Sequence, residues 1–387
     1  MSDHLQSLAT LLAYHAQVRP HAIALRHKQL GLWRQWSWQQ LLEMSQRYAS
    51  ALTLYGFQKD QTFFIASSPN VEVVAISIAV QALGGRVQLL DQAAEELDAV
   101  QLHQDLNILQ PDYVLVEQLQ QLSPLASLNY HPTYIFYIEQ NNLSAFDHEY
   151  IVDLKTLFSE LKPQHQIEFK QIRTPLTQTA FSFEKVEDGQ RFRVYYAHQE
   201  LIEEAQRLVD AYQLEATEQA FIARAFSSVG HIRYLWSAWL YAGFCLNIPE
   251  SLQTRDQDRQ VISPSLVLGT KQTYERVEQL ILARLPKSDS WLFHQYQAAI
   301  QQIGQQRTPS LIQRLVFALF KQAILEELGF SQLKTALIVG EPVSDQTAQF
   351  YQALGIQLQH WGQHAAWQAM TSTMSLNLAS SSTITIH

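Results

Sequence analysis

From Thr62 to Val116 the chain alternates short β-type runs with helical ones, and no other feature constrains the fold as tightly. Thr62–Ser67 reads as a strand. Pro69-Asn70 opens a helix over Val71–Leu83, which Gly84-Gly85 closes. Val87–Leu90 is a strand, Ala93–Leu109 a helix and Tyr113–Val116 a strand. Successive strands joined through helices run parallel, with the helices covering the sheet faces. Upstream, Leu5–Val18 reads as an amphipathic helix ending at Arg19-Pro20. Ala22–Leu30 and Leu32–Ser37 read as strands about Gly31, and Trp38–Tyr55 as a helix closed by Gly56.

Near the middle lies a different pattern, Thr179–Leu201. Phe181 and Phe183 alternate with Ser182 and Glu184, and Phe192 and Val194 alternate with Arg191 and Arg193. Asp188-Gly189 between them is a favoured pair for a tight turn, whose central residues take positive φ. That turn sets Glu184 opposite Arg193 and Phe183 opposite Val194. A helix is expected from His198. Further on, strands are expected at Tyr134–Ile138, Ala220–Ala225, Phe244–Pro249, Val261–Thr270, Leu333–Gly340 and Gly355–His360. Helices are expected at Ile232–Ala242, Tyr274–Val277, Pro309–Leu328 and from Ser344 to Leu354. Gln118–Phe169 is less regular.

Composition narrows the partners. With net charge −9 and no basic stripe, the chain is not built for nucleic acid. The single Cys245 excludes an internal disulfide or a cysteine metal site, and it sits in an apolar run that suits a small buried side chain. Val73–Leu83, the longest apolar run, is too short to span a bilayer, and no apolar leader opens the chain. A cytoplasmic location is expected, which leaves only surface contact with a membrane open.

Several landmarks in these segments resemble those of the adenylate-forming (AMP-binding) superfamily, and above all the N-terminal part of long-chain acyl-CoA synthetases. They are Arg19-Pro20 with Ala22-Ile23-Ala24, Trp36-Ser37-Trp38, Ser67–Asn70 and Ala82–Gly85, all collinear. Phe226–His231, Val261–Thr270 and Gly340 through Val343 continue the match. The resemblance implies two stacked α/β subdomains, 1–172 and 173–387, with mostly parallel sheets flanked by helices. It also implies that the family's third, barrel subdomain and small C-terminal lysine domain are lacking.

Against that family the central stretch is degenerate. Counted back from His198 and Leu201, the family's phosphate loop falls on Phe183–Arg193. Only the aromatic and Gly189 survive. Val186 replaces a glycine, Glu184, Glu187 and Asp188 stand where hydroxyls belong, and Phe192 replaces the lysine. A phosphate cradle needs glycines, inward N–H groups and a cation. The later aromatic-Gly-x-Thr-Glu motif reads Trp361-Gly362-Gln363-His364-Ala365, and alanine offers a magnesium ion no oxygen. Gly189, Gly340, Trp361 and Gly362 are thus remnants of a nucleotide pocket, with no catalytic residue and no metal ligand nominated. His231 stands for a family histidine near the acyl entrance, and equally for a helix-terminal residue. Trp236 and Trp239 suit either core packing or acyl-pocket lining.

Two functions follow. One is a non-catalytic descendant of an acyl-CoA synthetase, needing no cofactor and acting through a fatty-acyl ligand or a protein partner. In this reading a partner or second copy covers the face exposed by truncation. The other is an AMP-forming acyl ligase, using ATP and magnesium, whose lysine domain comes from another polypeptide. A third, unrelated catalytic use of the pocket has no nucleophile–base pair to support it.

Overall fold

A computed structural model describes residues 7–92, 98–118, 121, 128–138, 149–159, 161, 167–187, 190–284, 290–304 and 307–363. Ser7 caps the first helix, α1 (Leu8–Val18), through a reciprocal pair with Thr10. The chain turns through β1 (Ile23–Gln29) and β2 (Leu32–Ser37) into α2 (Trp38–Leu54), capped by Ser37 and Gln40. Then follow β3 (Thr62–Ala66), α3 (Val71–Ala82), β4 (Arg86–Leu90), α4 (Ala99–Leu109) and β5 (Tyr113–Val116). This is the alternation read from the sequence. Asn70 supplies the N-cap of α3, its side chain accepting from the Val73 N–H at 2.8 Å.

Two short strands come next, β6 (Tyr134–Tyr137) and β7 (Ile151–Asp153), the latter inside the region that reads as irregular. The hairpin is β8 (Thr179–Glu187) and β9 (Gln190–Ala197), leading into α5 (His198–Tyr212). The chain passes through β10 (Gln219–Phe221) and α6 (Ser237–Ala242) to β11 (Cys245–Ile248). It continues through α7 (Arg255–Ile262), β12 (Leu266–Gly269), α8 (Lys271–Leu282), α9 (Trp291–Gly304) and α10 (Leu311–Leu328). It closes with β13 (Thr335–Ile338), α11 (Asp345–Ala353) and β14 (Leu358–His360).

These elements form two units, one of residues 1–209 and 222–251, the other of 210–221 and 252–387. The first unit holds a sheet ordered β7-β6-β5-β3-β4-β8-β9, parallel from β7 to β8 and antiparallel at β9. Every residue of α3 except Glu72 is buried, which suits a helix enclosed on almost all sides. The Gln81 Nε2 on it donates to the Ala180 carbonyl at 3.3 Å. Leu102, Leu106 and Leu109 of α4 pack with Phe64, Val114 and Ile135 of the strands. The same unit pairs β1 antiparallel with β2 and parallel with β11.

The second unit has parallel strands in the order β14-β13-β12-β10. Its core gathers Tyr274, Val277, Val316, Leu328, Phe350 and Tyr351. The two tyrosine hydroxyls find carbonyls there, Tyr274 donating to Leu337 at 3.1 Å and Tyr351 to Tyr274 at 3.0 Å.

Some boundaries correct the sequence reading. Val261 and Ile262 end α7 rather than starting a strand, because Ser263 turns left-handed (φ 46°) and β12 begins only at Leu266. The strand expected over Ala220–Ala225 stops at Phe221. The chain then passes into a 3-10 turn at Ala225–Ser227. The helix expected over Ile232–Ala242 opens instead with a π turn, His231–Trp236, before α6.

Candidate active-site cleft

The β8–β9 hairpin has the register that the turn and the charges imply. Glu184 lies opposite Arg193, Phe183 opposite Val194 and Glu187 opposite Gln190. Asp188 and Gly189, the turn pair, fall outside the described residues, as do His364 and Ala365. Regular antiparallel pairing therefore occupies the described residues on both sides of Asp188-Gly189, where a phosphate loop would lie. In such a ladder the backbone N–H groups of alternate pairs are consumed by the partner strand. They are held along the strands instead of turning together onto an anion.

The side chains confirm that this is a built surface. Arg193 forms an ion pair with the buried Glu184 across the hairpin. Burial pulls the Arg193 guanidinium down, but its bond to Glu184 outweighs that and raises it overall. Arg191 reaches α4 and pairs with Asp105 at 2.7 Å, and Asp105 also accepts from Gln101 at 3.1 Å. Beside them, at the carboxyl ends of β4 and β8, opens a cleft of about 190 Å³. Asp91, Gln92, Asp105, Glu184, Lys185 and Arg191 border it. The carboxyl edge of a parallel sheet is where ligands of α/β proteins bind. Asp91 is anchored there, accepting from the Val229 N–H at 3.0 Å.

Charge in this cleft runs against a polyphosphate. Three carboxylates border it, and both hairpin arginines already hold one each. A triphosphate would have to break those pairs and leave Glu184 and Asp105, both buried, without their cations.

Deeper in the unit, Glu204 of α5 pairs with Arg233 of the π turn at 2.5 Å. Burial pushes the Glu204 carboxyl up to about 7 against the pull of Arg233. The guanidinium lies 5.3 Å from the ring centres of both Tyr196 and Tyr234, whose hydroxyls burial also raises.

The other nominated residues are dispersed. His231 begins the π turn, half-buried. Trp236 and Trp239 are fully enclosed and pack on one another at 5.1 Å between ring centres. Trp236 also meets Phe181 and Phe226, and Trp239 stacks on Trp38 and donates to the Ala24 carbonyl at 3.0 Å. Their faces are thus taken by core partners, and neither ring borders the cleft.

Trp361 is 1% exposed, packed on Tyr212 with 5.7 Å between ring centres, so its face is not open to a flat ligand in this arrangement. Gly362 follows it in a 3-10 turn. Gly340 (φ 83°) lies two residues past β13, and the His360 ring bonds its carbonyl at 2.6 Å. No group of metal-binding side chains forms among the described residues. Sequence reasoning missed Asp91 and Asp105. The one signal for Asp91 was a carboxylate directly after an apolar strand, and for Asp105 its spacing of four from Gln101 on a helix.

Residues 12–156 match the AMP-binding enzyme family. An acyl-CoA synthetase of Brucella canis superposes with TM-score 0.68 at 14% identity, over 91% of this chain and 56% of that one. An anthranilate CoA ligase solved with anthranoyl-AMP gives 0.68 at 13%, over 91% and 58%. A long-chain-fatty-acid-CoA ligase of Archaeoglobus fulgidus gives 0.66 at 12%, over 92% and 63%. The chain thus has their fold and spans less than two thirds of their length. No curated protein matches it.

Proposed function

We propose, from the premise that residues 12–156 belong to the AMP-binding enzyme family and that the chain has the acyl-CoA synthetase fold, that this protein works by recognition and not by adenylation. One observation carries the proposal. The hairpin that replaces the phosphate loop is laddered through Glu187 and from Gln190, and its two arginines are taken up by carboxylates, Arg193 by Glu184 and Arg191 by Asp105 of α4. Stabilising a transferred phosphoryl or adenylyl group requires N–H donors, cations and usually a metal converging on it. Here the cations are engaged, the strand N–H groups lie in a ladder, and the sequence has Ala365 where a metal carboxylate would stand. What the scaffold retains is its α/β frame, suited to holding an acyl group or a protein.

Calorimetry with magnesium-ATP and with a fatty acyl-adenylate, together with ATP–pyrophosphate exchange, tests this. The expected result is no exchange and no heat from magnesium-ATP, with acyl-adenylate or acyl-CoA binding through the acyl chain. Micromolar magnesium-ATP binding or measurable exchange overturns it. That outcome would favour an acyl ligase whose lysine domain is supplied by another polypeptide.

A further inference from the structure

The α9–α10 hairpin of the second unit departs from the rest of the chain in charge and in exposure. The chain has 36 acidic residues among 387, yet none lies from Trp291 through Leu325. That stretch contains all of α9 and most of α10. It carries Arg307 in the segment leading into α10, and Arg314 and Lys321 seven apart on α10, a heptad spacing that returns to nearly the same side of the helix. Arg307 and Arg314 are exposed, and neither has an ion-pair partner among the described residues.

Exposure points the same way. The inner face of α10 is anchored in the core by Val316, Ile324 and Leu328. Its outer face should then be polar, as amphipathic surface helices are. Instead Leu311 is 81% exposed, Leu315 66% and Leu319 65%, at a spacing of four that forms one stripe, with Ile312 beside it at 57%. Single exposed leucines are ordinary, whereas a continuous row of them marks a contact surface.

Charge chooses the occupant. A second copy docking over the N-terminal half of α10, about an axis near Arg314, would bring the two Arg314 side chains together, because no acid lies from Trp291 through Leu325. An apolar stripe flanked by unneutralised cations suits an anionic lipid surface, where aliphatic side chains enter the headgroup–acyl boundary and cations meet phosphates. No described helix is long and apolar enough to cross a membrane, so α10 would lie on the surface. We infer that the N-terminal half of α10 is a docking site for an anionic membrane surface. Leu311, Ile312, Leu315 and Leu319 enter the lipid, and Arg307 and Arg314 contact headgroup phosphates.

Flotation of the full chain with phosphatidylcholine–phosphatidylglycerol vesicles, and with phosphatidylcholine alone, tests the assignment. The protein should float with the anionic vesicles and much less with the neutral ones, and salt should release it. Replacing Leu315 and Leu319 by Gln should lower partitioning at least tenfold. Replacing Arg307 and Arg314 by Gln should lower it roughly 30-fold at low salt, about fivefold per cation. The control Leu32→Gln, exposed on the other unit, should leave it unchanged, and far-ultraviolet circular dichroism checks that each variant folds. The inference fails if the protein stays in solution with anionic vesicles. It also fails if the leucine pair can be replaced without effect, or if neutral vesicles bind equally well. A dimer in sedimentation that the Leu315/Leu319 variant dissolves, without vesicle binding, would assign the stripe to a second copy instead.

Discussion

Acidification from pH 7 to 4.5 should loosen the first unit through its buried histidines. Three histidines are buried there, His15, His27 and His198, and burial lowers each from 6.5 to about 4. The cause is visible in each. The His15 Nε2 donates to the Leu240 carbonyl at 2.8 Å with its ring against Trp38, and its Nδ1 faces no partner. The His198 Nδ1 accepts from the Leu8 N–H at 3.3 Å, so a second proton there would break that bond. His27 has no partner at Nδ1.

A depressed folded value means that the stabilisation is complete above about 6.5 and drains as pH falls toward 4. Between pH 7 and 4.5 each histidine costs about 2.4 kcal/mol, and the three together about 7 kcal/mol. Glu204 works the other way. With its carboxyl raised from 4.5 to about 7, the folded state takes up that proton earlier and regains about 2.6 kcal/mol over the same window. Glu72, also raised by burial, adds to the regain. The net loss is then about 4 kcal/mol or somewhat less, a large share of the 5–15 kcal/mol that holds a typical domain.

Urea unfolding at pH 7, 5.5 and 4.5 and fixed ionic strength measures this, with the buried Trp38, Trp236 and Trp239 reporting by fluorescence. The midpoint should fall steadily, and His15→Gln should remove about a third of the histidine contribution. A midpoint that is level or rises between pH 7 and 4.5 would refute the reasoning, as would an unchanged slope in the His15 variant.

Four further outcomes follow. Asp256 in the second unit is raised by burial but pulled further down, to about 2, by Arg276 and Arg259. Its contribution persists above about 3.8 and is lost only as pH falls toward 2, so hydrogen exchange at pH 5 should show the first unit opening before the helices around Asp256. Arg193→Ala strands the buried Glu184 carboxylate and should cost roughly 3 kcal/mol, of which Glu184→Gln in the same chain recovers a part, read from urea midpoints. Trp236→Ala, opening a cavity beside Phe181, Phe226 and Trp239, should cost roughly 3–5 kcal/mol in the same assay. Gly243→Ala should destabilise by about 1–3 kcal/mol, because φ is 76° and the new Cβ would sit 2.5 Å from the His15 ring.

Local signals carried most of the fold. The 62–116 alternation announces parallel pairing, and the caps Ser37, Asn70 and Ser344 place three helix starts directly. The hairpin register was legible because a turn pair and an opposite-charge pair gave the same answer. Helix α7 was not, since Arg255–Gln260 is too polar to show an apolar face and Val261-Ile262 looks like a strand opening. Strand β7, at three residues, is too short for a period to appear. The least legible part was the cleft. Arg191 finds Asp105 from a distant helix, and nothing in the local pattern of either residue announces the other. For Trp236 and Trp239 the sequence offered two fates, and only tertiary packing shows both rings enclosed.

The arginine–carboxylate pairs also bear on how the hairpin should be understood. A phosphate loop that merely decayed would gain residues without regard to one another, leaving acidic side chains with no cation in reach. In the hairpin Glu184 has Arg193 directly across the ladder, and Arg191 has Asp105, which lies on another element. Both carboxylates are buried, where an unpartnered charge would be strongly destabilising. Each arginine therefore depends on its acid, and each acid on its arginine. Restoring glycines alone would not rebuild a phosphate site, because it would break the β8–β9 ladder while leaving Asp105 and Asp91 at its edge. The acids and the strands would have to change together, and so the hairpin behaves as a structural element of the first unit in its own right.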